Sequence, residues 1–323
     1  MRLRALRLCV LRLGVLRLGV LGLCVLGLCV LGLCVLGVAT APLPLNAPAR
    51  AETAQTGSVR IAVASNFSAA AEALARRFEE RTGAKAILIL GATGKHYAQI
   101  VRGAPFDLFL AADEARPTRL EAEGLTAPGS RFAYAYGRLA LWSRRADRLD
   151  ATIEASLRAP GVRRVALANP ALAPYGRAAE EALDALGLRP ALAGRLAYGE
   201  NVGQAFAMAA SGAADLALIS EAQARSWTGS GAERAEEASL AAGSAAGFLL
   251  VPETAHAPIR QDAVLLTRGA DNPAARAFVR FLTSETGRAI IEQAGYAAAP
   301  PTARPAGDQA ESPDQARDAT EAQ

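Results

Sequence analysis

The segment from Val59 to Leu110 constrains the fold most. It alternates short apolar runs with amphipathic ones: Val59–Ala64, then Ala69–Arg81, Lys85–Leu90, Lys95–Arg102 and Asp107–Ala111. In Ala69–Arg81, Ala70, Leu74 and Phe78 recur at helical spacing and Gly83 closes the run. Strands alternating with helices imply a mainly parallel sheet covered on both faces. Two turns, Ser65-Asn66 and Thr93-Gly94, fall where a strand ends and a helix begins. Helix N-termini carry unpaired N–H groups and a partial positive charge, so turns of this kind hold anions.

The same pattern recurs further on. Tyr134–Trp142 reads as one longer strand crossing into a second lobe. There, strand Arg164–Ala168 precedes loop Asn169–Gly176 and helix Arg177–Leu186; strand Leu196–Tyr198 precedes turn Gly199-Glu200-Asn201 and helix Val202–Ser211; strand Asp215–Ile219 leads to Ser220 and a helix. Phe248–Val251 and Asp262–Thr267 read as strands returning to the first lobe, followed by helices Pro273–Thr283 and Glu285–Ala294. The expected division is an export signal at 1–51, the first lobe at 52–136 and 251–299, the second lobe at 137–250, and a disordered tail at 300–323. Thr228–Gly247, rich in Ala, Gly, Ser and Glu, reads as a surface excursion. Two crossings make a hinge, and a cleft between lobes suits a small ligand.

Residues Met1 to Val38 form a degenerate five-residue repeat, as in Leu11-Arg-Leu-Gly-Val15 and Leu31-Gly-Leu-Cys-Val35. A basic front, an apolar run and Ala49-Arg50-Ala51 describe an export signal cut after Ala51. Leu18–Val38 is also long enough to span a bilayer, which leaves a retained membrane anchor as the alternative. All four cysteines (Cys9, Cys24, Cys29, Cys34) lie in this leader, so the chain after it has no disulfide or thiolate site. Six of the 35 basic residues and none of the 31 acidic ones lie in 1–51, so cleavage moves the formal charge from +4 to −2. The remaining charges are interspersed, and no nucleic-acid partner is expected.

A fully deprotonated tetrahedral dianion only accepts hydrogen bonds. Hydroxyls and amides supply donors without the cost of burying a counter-charge, and each charge-assisted bond contributes about 1.5–3 kcal/mol. Ser65, Asn66, Thr93, Tyr175 and Val202 stand at turns able to supply such donors, two turns in each lobe, at the carboxyl ends of strands where open sheets bind ligands. Each turn taken singly is equally an ordinary helix cap. No nucleophile elbow, paired-histidine metal motif or phosphate loop is present, and His96 and His256 are the only histidines. Lys95 reads as a charge that steers anions or pairs with the ligand, Glu200 as a residue that caps or orients the Val202 turn, and His96 as a packed or partly exposed helix residue.

Taken together, Val63-Ala-Ser65-Asn66-Phe67, Gly91-Ala-Thr93-Gly94-Lys95-His-Tyr97-Ala-Gln99-Ile100, Gly103-Ala-Pro105-Phe-Asp107-Leu-Phe109, Asn169-Pro170 with Ala173-Pro174-Tyr175-Gly176-Arg177, and Gly199-Glu200-Asn201-Val202 resemble the periplasmic molybdate-binding proteins of ABC transporters. The resemblance runs from about Val59 to Tyr296. It implies an α/β, two-lobed type II periplasmic-binding-protein fold, with parallel-rich sheets flanked by helices. It also implies a monomeric periplasmic receptor for molybdate, and for tungstate, that delivers its solute to a membrane permease. Carried over by position, the oxyanion donors fall on Ser65, Asn66, Thr93, Tyr175 and Val202. The metal is held only through its oxygens, without direct protein ligands, and no cofactor or catalytic residue is implied. One branch of that family uses a tyrosine hydroxyl where this chain has Ser220; the other uses the Asn after the first hydroxyl, and Asn66 resembles the second. The alternatives are a receptor for sulfate or phosphate, and a hydrolase on the same fold using Glu200, Lys95 and His96.

Overall fold

The computed structural model describes residues 57–227 and 247–298. The expected leader (1–51), the excursion up to residue 246 and the tail (300–323) therefore lie outside the described residues. The chain runs β1 (Ser58–Ala64), α1 (Ser68–Thr82), β2 (Lys85–Gly91), α2 (Thr93–Val101), β3 (Leu108–Leu110), α3 (Ala115–Ala122) and β4 (Phe132–Gly137). It continues through β5 (Leu139–Trp142), α4 (Ile153–Arg158), β6 (Val165–Ala168), α5 (Pro174–Ala185), β7 (Leu196–Gly199), α6 (Val202–Ala210), β8 (Leu216–Ser220), α7 (Glu221–Arg225) and β9 (Phe248–Leu250). Strand β10 (Ile259–Leu265), helices α8 (Pro273–Thr283) and α9 (Glu285–Gln293) and strand β11 (Ala297–Ala298) complete it.

Two sheets form. The first has the order β11-β4-β10-β3-β1-β2 and the second β7-β6-β8-β5-β9. In the first, β2, β1 and β3 are parallel, while β10, β4 and β11 join antiparallel. In the second, β7, β6 and β8 are parallel, with β5 and β9 antiparallel. The sheets are thus mixed around a parallel centre. Strand β1 shows why: Val59, Ile61 and Val63 join the core under α1, α8 and α9, while Ala62 faces a separate core with Ile100, Phe106, Phe109 and Leu120. A strand buried on both faces reads as a continuous apolar run. Gly83 ends α1 in left-handed backbone (φ 74°), its N–H donating to the Glu79 carbonyl.

Three expectations change. The single strand Tyr134–Trp142 is two strands in different sheets, interrupted at Arg138. The side-chain period cannot reveal this, because both halves are buried. Strand β9 pairs with β5 in the second sheet and does not return to the first; only β10 does. Helix α5 starts at Pro174, three residues before Arg177, because proline suits the first turn, where an N–H would be unpaired anyway. Helix α4, capped by Thr152, carried no reading from the sequence.

The two crossings lie side by side. Gly137 pairs with Ile259 at the end of the first sheet, and the Val251 amide donates to the Leu139 carbonyl at the start of the second. Arg138, between them, grips the buried Glu221 carboxylate through Nε and Nη2 (2.6 and 2.8 Å), and Arg225 holds the same carboxylate. Asn272 anchors α8. Its Oδ1 accepts from the amides of Ala274 and Ala275, and its Nδ2 donates to the Ser58 carbonyl (2.9 Å). Asn272→Ala is expected to cost about 1–2 kcal/mol of stability, read as a lower midpoint in urea unfolding with an unchanged slope.

Candidate functional site

The strand–helix turns of both sheets meet at one pocket. Its wall includes Ser65, Asn66 and Thr93 from the first sheet and Tyr175, Asn201 and Val202 from the second, completed by Ala, Gly and Pro. Counted with the open solvent at its mouth, it spans about 180 Å³. No charged residue lines it. All five residues named from the sequence are therefore brought together.

Sequence explains each position locally. Asn201 caps α6 by accepting from the Gln204 amide, which places Val202 at the first helical residue. Pro174 opens α5 and leaves Tyr175 in its first turn. Thr93 is the first residue of α2. The amides of Asn66, Thr93, Tyr175 and Val202 have no acceptor among the described residues. The unpaired ends of three helices and one 3-10 turn thus face a common space.

The hydroxyls are set by what they accept. Ser65 Oγ accepts from the Gly203 amide in the opposite lobe (3.2 Å), and Thr93 Oγ1 accepts from the Ala112 amide (3.2 Å). A hydroxyl carries one proton and two acceptor sites. The amide fills one acceptor site, and the proton of each hydroxyl is left to donate.

Two donor groups at these turns are spent elsewhere. The Asn66 side chain gives its Nδ2 protons to Gln261 Oε1 (2.8 Å) and Tyr296 Oη (3.1 Å), while Tyr296 Oη donates to the Asn66 carbonyl (2.7 Å). In this arrangement only the backbone amide of Asn66 is free. The Gly94 amide donates across the cleft to the Leu172 carbonyl (2.9 Å). Ser220 lies off the pocket wall, fully buried, and forms a capping box with Gln223. Gln261 and Tyr296 were not singled out from the sequence. Each is distant along the chain, and nothing local marks a side chain that holds Asn66.

Charges near the mouth are paired. Lys95 meets Glu200 across the cleft at 2.9 Å, with both side chains about half exposed (51% and 43%), so the bridge is structural and worth about 1 kcal/mol or less. Glu200 thus binds Lys95, and the cap of α6 is Asn201. Asp113 pairs with Arg116 and reaches Arg177 of the opposite lobe at 3.4 Å. Together with the Gly94–Leu172 and Gly203–Ser65 bonds, these contacts join the two lobes across the cleft.

At the hinge, the Tyr175 ring runs from the pocket to Gly137. Tyr175 Oη and Gln261 Nε2 are buried there without hydrogen-bond partners among the described residues. A Cβ on residue 137 would collide with Tyr175 Oη and lie 2.8 Å from Gln261 Nε2. Burial pushes the phenols of Tyr134, Tyr175 and Tyr296 well up, so all three stay protonated. His96 is buried as well, and desolvation holds its imidazole below the ordinary value of 6.5, with the Gln99 and Val63 hydrogen bonds opposing and Lys95 adding to the fall.

Comparison with known proteins places the chain in company. A family model described as bacterial extracellular solute-binding protein matches residues 59–297. The molybdate-binding protein ModA of Azotobacter vinelandii is 41% identical over 243 residues, covering 75% of this chain and 91% of that protein. ModA of Rhodobacter capsulatus is 37% identical, covering 75% and 89%. The solved periplasmic molybdate-binding protein of A. vinelandii superposes with a TM-score of 0.67 at 36% identity, covering 75% of this chain and all of that one.

Two outcomes test this geometry. Gly137→Ala displaces the Tyr175 hydroxyl and is expected to cost about 1–3 kcal/mol in chemical unfolding, with Tyr175→Phe in the same chain restoring part of the loss. Below 6.5 the unfolded chain protonates His96 while the folded chain does not. Its contribution to stability is thus complete above 6.5 and falls as pH drops toward the folded value. Thermal unfolding between pH 7.5 and 5 should show a shallower decline in His96→Leu than in the parent.

Proposed function

The chain belongs to the bacterial extracellular solute-binding protein family, and we propose that it is a receptor that captures molybdate between its lobes and delivers it to an ABC permease. The observation that carries this is the convergence of two proton-bearing hydroxyls and four free amides on a pocket without charged side chains. Such a pocket suits an anion that has no protons of its own. Phosphate at neutral pH carries protons that need acceptors, and the carboxylates nearest the mouth are already engaged with Lys95, Arg116 and Arg177. Molybdate and tungstate share charge and shape, and the same donors serve both. The two ModA relatives support molybdate over sulfate, which has the same charge in a smaller cage.

In this reading, Ser65 and Thr93 donate through their hydroxyls, and Asn66, Thr93, Tyr175 and Val202 through their amides. The metal is held through its oxygens alone. Binding adds bonds from both lobes to one ligand, so the closed arrangement gains what the ligand contributes. The protein acts as a monomer without catalysis, in the periplasm, after removal of residues 1–51. N-terminal sequencing of exported protein reads that cut directly.

Calorimetric titration with molybdate, tungstate, sulfate and phosphate tests the proposal. Tight binding of the first two is expected, and tight sulfate or phosphate binding with none for molybdate would overturn it. Ser65→Ala and Thr93→Ala should each weaken binding by about 1–3 kcal/mol. Val202→Ala should change it little, because only its amide is used.

A further inference from the structure

Behind the pocket wall, His96 is 2% exposed on the first turns of α2, three residues after Thr93. Its Nε2 lies 3.2 Å from the carbonyl oxygen of Val63, two residues before Ser65. Its Nδ1 lies 3.2 Å from Gln99 Oε1, on the same helix. The ring stands edge-on to Phe106 (centroids 5.8 Å apart, 84°) and Phe109 (6.2 Å, 72°). It also presses on Gly91, where a Cβ would meet Nε2 at 2.8 Å and Cε1 at 2.9 Å. Gly91 is itself part of the pocket wall. One imidazole therefore touches the end of β1, the end of β2 and the start of α2, three of the four first-lobe segments that line the pocket; the fourth contributes Ala112.

The chemistry of the contact selects histidine. A carbonyl oxygen only accepts, so Nε2 carries a proton and donates to Val63. Leucine or phenylalanine at this position would fill the volume and leave that bond unmade. Gln99 serves the other nitrogen: its carboxamide offers a donor to a neutral ring, or an acceptor to a protonated one, by a half-turn. The Phe edges keep the ring from swinging away.

We propose that His96 is a positioning residue for the oxyanion site. By tying Val63 to α2 and seating against Gly91, it sets the separation of the Ser65 and Thr93 turns, so that both hydroxyls meet one ligand. It touches no ligand itself. The inference rests on the proposed oxyanion function.

Molybdate titration of the full mature chain and of His96→Leu and His96→Gln, side by side, tests it. His96→Leu keeps apolar bulk and loses the donor; His96→Gln keeps a donor within reach of Val63. The expected result is roughly tenfold weaker binding for the leucine variant and at least half of that loss, on a logarithmic scale, recovered by the glutamine variant, at matched melting temperatures. Should the leucine chain not fold, His96→Met takes its place as the apolar variant. A parent chain that binds molybdate, with apolar variants that bind equally well, or a glutamine variant no better than the apolar one, would overturn the positioning role. A parent chain that binds no tetrahedral oxyanion would instead remove the function on which it rests.

Discussion

The structure depends on backbone amides occupying the acceptor sides of two hydroxyls. Ser65 Oγ takes the Gly203 amide and Thr93 Oγ1 takes the Ala112 amide, so one acceptor site of each oxygen is filled and its proton is left to donate. This leaves the protons of two ordinary helix-start residues available to the pocket. It also avoids buried counter-charges, whose desolvation costs several kcal/mol per ion. One of the two bonds crosses between the lobes, from α6 to the Ser65 turn.

The contacts that join the lobes also surround the pocket. The Gly94–Leu172 bond, the Lys95–Glu200 bridge and the Arg177–Asp113 pair all span the cleft around the pocket. The charged members contribute little individually because they are partly exposed. At and beside the crossings the carboxylates are buried. Arg138 and Arg225 share the buried Glu221, and Arg131 and Arg260 share the fully buried Asp262. Removing one partner of such a group is costly even where the whole group contributes little net stability. Tyr175 links hinge to site, with its amide at the pocket and its hydroxyl against Gly137.

Much of this was legible in the residues. The βα turns were readable because strand ends, caps and helix starts are local, and Ser65, Asn66, Thr93, Tyr175 and Val202 all reach one pocket. The break at Arg138 was not readable, since Tyr134–Gly137 and Leu139–Trp142 are equally apolar and only their partners differ. Nor was the destination of β9, because an apolar run of three residues carries no information about which sheet will pair with it. The side chain of Asn66 was assigned as a donor for the ligand, and its protons are spent on Gln261 and Tyr296, which lie 195 and 230 residues away along the chain.

The amino-acid sequence by itself determined which groups can donate: the caps, the prolines and the hydroxyls at strand ends, all set by interactions within a few residues. Tertiary structure alone decided which of those donors remain free. A hydrogen-bonding group has a fixed capacity, and whether that capacity is already filled depends on partners that only folding brings within 3 Å or so.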